Sequence, residues 1–190
     1  MSDRTKRFST GFNTCMDVLT ALSEVAADTP FEKISINQIC DKAEISRATF
    51  YYHFKDKFDV VQWYFNLLAA EYLRKIGRSL TWAEGYRLHT LEALKYKDLF
   101  QAAFVNRGYQ SLFKYAKRDR VKSLRETLVD YLHTDIDDEL EFQIQVMADM
   151  EVGAVSRWFK DGMDIDVDRF CAYLENVVPR RLHDLLDIQG

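Results

Sequence analysis

The stretch from Ile34 to Lys57, ISINQICDKAEISRATFYYHFKDK, limits the possible fold more than any other part of the chain. Ile36, Ile39, Cys40 and Ala43 fall at i, i+3, i+4 and i+7, the spacing of a helix with one apolar face. Ser35 precedes that face and Gln38 follows three residues later, a capping box that ties down the free N–H groups of a first turn. Glu44 and Ile45 make a turn, with Ile45 as an apolar plug, and Ser46 caps a second helix. In that helix Phe50 and Phe54, four apart, take the inner face. Arg47, Ala48, Thr49, Tyr51, Tyr52 and His53 are left to face outward. Two short helices joined this tightly predict a helix-turn-helix. Its outer face suits DNA better than water: Arg and His donate hydrogen bonds, Thr offers a methyl and a hydroxyl, and Tyr reaches phosphate oxygens.

These residues resemble the TetR family of bacterial transcriptional regulators. The family signature runs from a Thr/Ser-capped helix through A-G-V-S to Y-x-H-F-x-x-K. Here it reads Ser35-Ile36, then Ala43-Glu44-Ile45-Ser46, then Tyr51-Tyr52-His53-Phe54-Lys55-Asp56-Lys57. The resemblance covers the first quarter to third of the chain and is architectural beyond it. It implies an all-α fold of about nine helices: a three-helix DNA-binding domain over residues 1–57, a linking helix to about 76, and a C-terminal effector-binding and dimerisation domain over 77–190. It also implies an effector-responsive repressor that binds a partly palindromic operator as a dimer. One departure is clear, since Glu44 stands where the family has a turn Gly. If that position needs φ > 0, Glu costs about 1 kcal/mol more than Gly.

Roles on the DNA side follow from the side chains. Arg47 is expected at a guanine edge or a phosphate, Thr49 at a thymine methyl, and Tyr51, Tyr52 and His53 at phosphates or base edges, with Ala48 on the same face. Ser35 and Ser46 open helices, where backbone N–H groups also favour phosphate; capping and DNA contact hold together there. Lys57 resembles the family's phosphate-contacting Lys. The alternatives are caps and solvated surface, one Tyr of the pair packing inward, and His53 packing on the fourth helix.

Only 2 Pro and 7 Gly occur in 190 residues, which favours long helices, and 47% hydrophobic residues suffice for a core. The net charge of −4 excludes a uniformly basic nucleic-acid binder. Residues 1–60 carry 8 basic and 9 acidic side chains, so DNA binding must rest on a local patch, to which Arg4, Lys6 and Arg7 are expected to contribute. Cys15, Cys40 and Cys171 have no metal-ligand spacing and fall in apolar helical patterns, as small core residues do. The opening residues are polar and charged, and no apolar run approaches a membrane span, so no membrane partner and a cytoplasmic location are expected.

Further helices are predicted at about Ser9 or Thr10 to Ala27, Asp56 to Ile76, Tyr86 to Tyr96, Leu99 to Asn106, Gln110 to Lys117, Asp119 to His133, Asp138 to Lys160 and Asp166 to Leu186. Pro30 stops the first, Gly108 and Gly162 sit where C-caps belong, and Pro179 is expected to kink the last. The helix from Asp138 is apolar on more than one side, so it has two packing partners. The family's pairing of C-terminal helices makes a second copy one of them. Met147, Val155, Trp158, Phe170, Leu174, Val178 and Leu182 are the expected interface; burial of both faces within one subunit is the alternative.

The family's usual pocket points to a small apolar or aromatic effector lined by Trp63, Tyr96, Phe100, Phe104, Tyr109, Phe113, Met147 and Met150, against plain core as the alternative. No phosphate loop, G-x-S-x-G or H-E-x-x-H occurs, and no cofactor, metal or catalytic residue is expected. The rival readings are a regulator or activator controlled by a protein partner, and an enzyme or ligand-storage protein on a helical scaffold.

Overall fold

The computed structural model describes residues 10–105 and 112–187, and their regular elements are all helical. Ten α-helices follow in order: α1 (Thr10–Asp28), α2 (Ile36–Lys42), α3 (Arg47–His53), α4 (Lys57–Glu71), α5 (Trp82–Leu94), α6 (Lys97–Val105), α7 (Leu112–Glu126), α8 (Asp138–Lys160), α9 (Val167–Asn176) and α10 (Arg180–Leu186). The chain forms two compact units, Met1–Val61 and Gln62–Gly190, and the division falls inside α4. No helix among the described residues is long and apolar enough to cross a membrane.

The first unit is built on α1, whose stripe buries Cys15, Val18, Leu19 and Leu22. Beyond Asp28 the chain turns through Pro30 into a 3-10 turn, Phe31–Lys33, that buries Phe31. Ile39 and Cys40 from α2, and Phe50 and Phe54 from the second half of the motif, complete the core. Asp56 then caps α4 by accepting from the amides of Phe58 and Asp59 at 2.8 and 2.9 Å.

In the second unit several boundaries differ from those read in the sequence. The linking helix ends at Glu71, and a 3-10 turn, Leu73–Lys75, takes the chain to Gly77 at φ +77°. Helix α5 begins at Trp82, four residues early, because Thr81 and Glu84 form a second capping box. Gly85 lets this helix approach the preceding turn; a Cβ there would sit 2.4 Å from Ile76 Cγ1. The two helices expected around Lys117 and Asp119 are one, α7, which runs into a π-helical turn at Thr127–Tyr131. No Pro or Gly interrupts it, and Ala116, Arg120, Val121 and Leu124 keep one buried face continuous. Pro179 breaks the last helix rather than kinking it: without an N–H it opens α10 at the N-cap position. Gly162, at φ +81°, follows α8 as expected, whereas Gly108 lies outside the described residues.

Most of this unit's core is aromatic and aliphatic. Phe159 stacks on Phe100 and Phe104 with centroids 6.2 and 5.7 Å apart, and Trp158 stacks on Phe170 at 4.4 Å. Within it lies a buried polar group. Glu151 Oε2 accepts from Tyr86 Oη at 2.9 Å and from Arg120 Nε at 2.8 Å, and Arg120 Nη1 donates to the Leu73 carbonyl at 3.2 Å. The Arg120 guanidinium also lies 5.3 Å from the Trp82 ring centroid. Burial opposes the arginine's charge, but Glu151 and Tyr86 more than offset it and leave its pKa above the ordinary value.

Candidate nucleic-acid interface

The helix-turn-helix is assembled by local hydrogen bonds. Ser35 Oγ accepts from the Gln38 amide at 3.3 Å, and Gln38 Oε1 accepts from the Ser35 amide at 2.9 Å. The turn closes where the Ile45 amide donates to the Cys40 carbonyl at 3.0 Å. Glu44 takes φ +55°, so the residue in the family's Gly position does occupy the left-handed region. Ser46 caps α3 by accepting from the Thr49 amide at 3.0 Å, and its hydroxyl pairs with the Thr49 hydroxyl at 2.9 Å. Both expected caps are therefore real, and both serines remain exposed beside the helix starts.

Burial of Phe50 and Phe54 fixes which face of α3 is turned out. Tyr52 is 85% exposed and Tyr51 49%; Arg47 and Ala48 are exposed, and Thr49 and His53 are half-buried. Arg47 Nη1 donates to Asn37 Oδ1 at 2.5 Å, and its guanidinium lies 5.7 Å from the Tyr51 ring centroid. Tyr52 and His53 meet edge to face at 4.9 Å, and His53 also touches Phe54 at 6.3 Å. The outcome is one exposed surface of donors and rings whose members hold one another in place. Asn37 is the member the sequence reading missed. Its place in the first turn of α2, opposite a basic residue that opens α3, becomes meaningful only once the two helices cross.

Lys57 has a different occupation from the one the resemblance implied. Its Nζ donates to the carbonyls of Glu32 at 2.9 Å and Ile34 at 2.8 Å and lies 5.3 Å from the Phe31 ring centroid. Two of its three N–H groups thus close the segment before α2. Burial pulls its pKa down, while Glu32 and Asp56 act the other way. Arg4, Lys6 and Arg7 lie outside the described residues.

Of the eight residues expected around one effector pocket, the described ones do not line one common cavity. Phe100, Phe104 and Met147 are buried core. Trp63, Tyr96 and Phe100 each contact the ring of Tyr64, forming an aromatic chain rather than a cavity wall. Phe113 and Met150 line an open groove of about 940 Å³ along α8 and α9. Tyr109 lies outside the described residues. The physical reason is stacking: the rings gain more area against one another than they would around a void.

The expected interface is corrected in the same way. Met147, Trp158, Phe170, Leu174, Val178 and Leu182 are buried within the single chain, and Val155 is half-buried. The exposed large apolar side chains on α8, on α9 and just after it include Phe142, Val146, Tyr173 and Val177, with Phe142 68% exposed. Two apolar sides were legible on α8, but which one met the rest of the subunit was not.

Residues 18–62 match the family model described as bacterial regulatory proteins, tetR family. No curated protein matches the sequence. Among solved structures the chain is similar to "Dihydroxyacetone kinase operon activator DhaS", with a TM-score of 0.66 over 93% of this chain and 99% of that one. At 16% identity that likeness is one of fold.

Proposed function

We propose that this chain, a TetR-family DNA-binding regulator by its N-terminal domain, works as a dimer on a partly palindromic operator, with a small molecule in its second unit setting the affinity. The observation that carries the reading is the outer face of α3. Tyr52 is almost fully solvated, and Arg47 on the same helix is held by Asn37. A tyrosine ring at that exposure buries little area within the fold, and a guanidinium fixed in place loses less freedom on meeting a guanine edge or phosphate. Two copies would present α3 to successive major grooves one helical turn apart.

Dimerisation is supported by the apolar residues on the outer sides of α8 and α9. A Cβ on Gly153, in the second half of α8, would meet nothing within 4 Å, which leaves room for another helix. In the proposed cycle the effector binds one state of the dimer better than the other, and that difference changes the hold on DNA. A repressor is the first reading. An activator, or a regulator governed by a protein partner on the same exposed apolar face, is the second; the structural neighbour's printed role as an operon activator is compatible with it.

Selection of bound sequences from a random duplex pool at a stated salt concentration tests the proposal. A two-fold symmetric site is expected. A folded protein that enriches no sequence would sink the reading. Enrichment of a single unrepeated half-site would remove the dimer.

A further inference from the structure

Arg74, Arg87, Arg125 and Arg181 each lie against a carboxylate, that of Asp119, Asp168, Glu141 and Asp137 in turn. Arg47, the first residue of α3, is held by a neutral group instead: its Nη1 donates to Asn37 Oδ1 at 2.5 Å, ten residues back in α2. The Tyr51 ring centroid lies 5.7 Å from the same guanidinium. Both partners are exposed, so their bond adds little to the stability of the fold. A carboxylate in place of the amide would orient the guanidinium and neutralise it at once. The amide orients it and leaves the charge for a polyanion.

The chemistry of the pair also selects a base. A guanidinium carries only N–H groups, so the Asn37 atom that meets it must be the carbonyl oxygen. An asparagine with both amide atoms free offers an acceptor and donors together, the combination that matches adenine N6 and N7. With Oδ1 engaged by Arg47, the pair presents chiefly donors, from Arg47 Nη2 and Asn37 Nδ2. In the major groove guanine answers with two acceptors, O6 and N7. Adenine and cytosine each set an amino group against these donors, and thymine offers one acceptor. Water loosens such a bond on the free surface, and a duplex that covers it expels that water and strengthens it. The effect of Asn37 therefore falls on recognition rather than on folding.

We infer that Asn37 is a specificity-determining positioning residue, which aims Arg47 at a guanine edge in each half of the bound site. The inference rests on the operator-binding reading and names a base that the reading leaves open. An arginine free to sample its rotamers would meet phosphates and several bases with less discrimination.

The test repeats the duplex selection with the full chain and with Arg47→Ala, Asn37→Ala and Asn37→Asp, each checked for an unchanged Tm. The unaltered chain is expected to select a guanine in each half-site that Arg47→Ala no longer prefers. Asn37→Ala is expected to lower the preference for that guanine over adenine by about fivefold or more, while the other positions keep theirs. Asn37→Asp keeps an acceptor in the same place. It is expected to retain the guanine preference while weakening every duplex, because it neutralises Arg47. A merely structural Asn37 would weaken all duplexes alike as alanine and leave the guanine ratio where it was, and that result overturns the inference. So does an Arg47→Ala variant that loses about one unit of salt slope with every base preference intact, which puts Arg47 on a phosphate. A symmetric site whose guanine ratio ignores Asn37 leaves the operator reading standing without the inference. Failure to enrich any sequence removes both.

Discussion

Arg47 with Tyr52 and Arg120 with Tyr86 are the same residue types used in opposite ways. On α3 the arginine and tyrosines lie on the outside, held mainly by Asn37 and by one another. In the second unit the arginine is fully enclosed, its charge matched by Glu151 and one face covered by Trp82. The first arrangement leaves hydrogen-bonding capacity for a partner that the fold does not contain. The second uses nearly all of it inside, so the fold cannot lose a member without leaving a charge stranded. The difference separates residues that report on binding from residues that report on stability.

The largest effect that could break this contrast is in the interior. Glu151→Ala should destabilise the protein by about 3–5 kcal/mol in urea unfolding, because Arg120 would remain buried and unpaired. A loss below about 1 kcal/mol would mean that the guanidinium has found water or another acceptor.

On the outer face the prediction is reversed. Tyr52→Ala and Arg47→Ala should each shift stability by less than about 0.5 kcal/mol. Each should still weaken the selected duplex by about 1–3 kcal/mol in a titration at fixed salt. A large stability loss with unaltered binding would make α3 an ordinary surface helix.

A smaller effect is set by pH. His89 is held near pKa 3 in the folded state against an ordinary value of 6.5. Above about pH 6.5 both states are neutral there and the residue contributes no pH dependence. As pH falls from 6.5 toward 3, the unfolded chain binds a proton that the folded chain refuses, and stability drops. Solvent reaching the half-buried residue limits this to roughly 2 kcal/mol. His89→Phe should flatten that part of the stability curve, and an unchanged slope would show the ring taking its proton without unfolding.

The smallest effect lies at the turn. Glu44→Gly should raise stability by about 1 kcal/mol, read as a higher Tm, because glycine adopts φ +55° without strain.

The two halves of the molecule were unequally legible for the same reason that they behave differently. Around the helix-turn-helix, information is local. Ser35 and Gln38, Ser46 and Thr49, and Phe50 and Phe54 are three or four residues apart, so spacing alone gave caps, inner face and outer face. The second unit depends on partners distant in the chain. In the sequence Glu151 is one acid on a long helix, and only the fold sets it against Tyr86 and Arg120, 65 and 31 residues away. Aromatic spacing could not show that Phe100 stacks on Phe159 in the core, nor that Trp158 meets Phe170 in its own subunit. Single residues also misled: Pro179 divided a helix where a kink was expected, and nothing divided α7 where a break was.

The attachment of Lys57 to the Glu32 and Ile34 carbonyls bears on how genetic data for this protein should be interpreted. A screen for lost regulation would score Lys57 variants alongside Arg47 and Tyr52 variants and group all three as a footprint on the operator. Counterions distinguish them. A side chain lying on a phosphate changes the dependence of affinity on salt when it is removed, by about one unit of slope. A lysine that fastens one protein segment to another lowers affinity at every salt concentration alike. Such a screen mixes the letters of recognition with the hinge pins that keep the page flat, and only the ionic-strength series tells them apart.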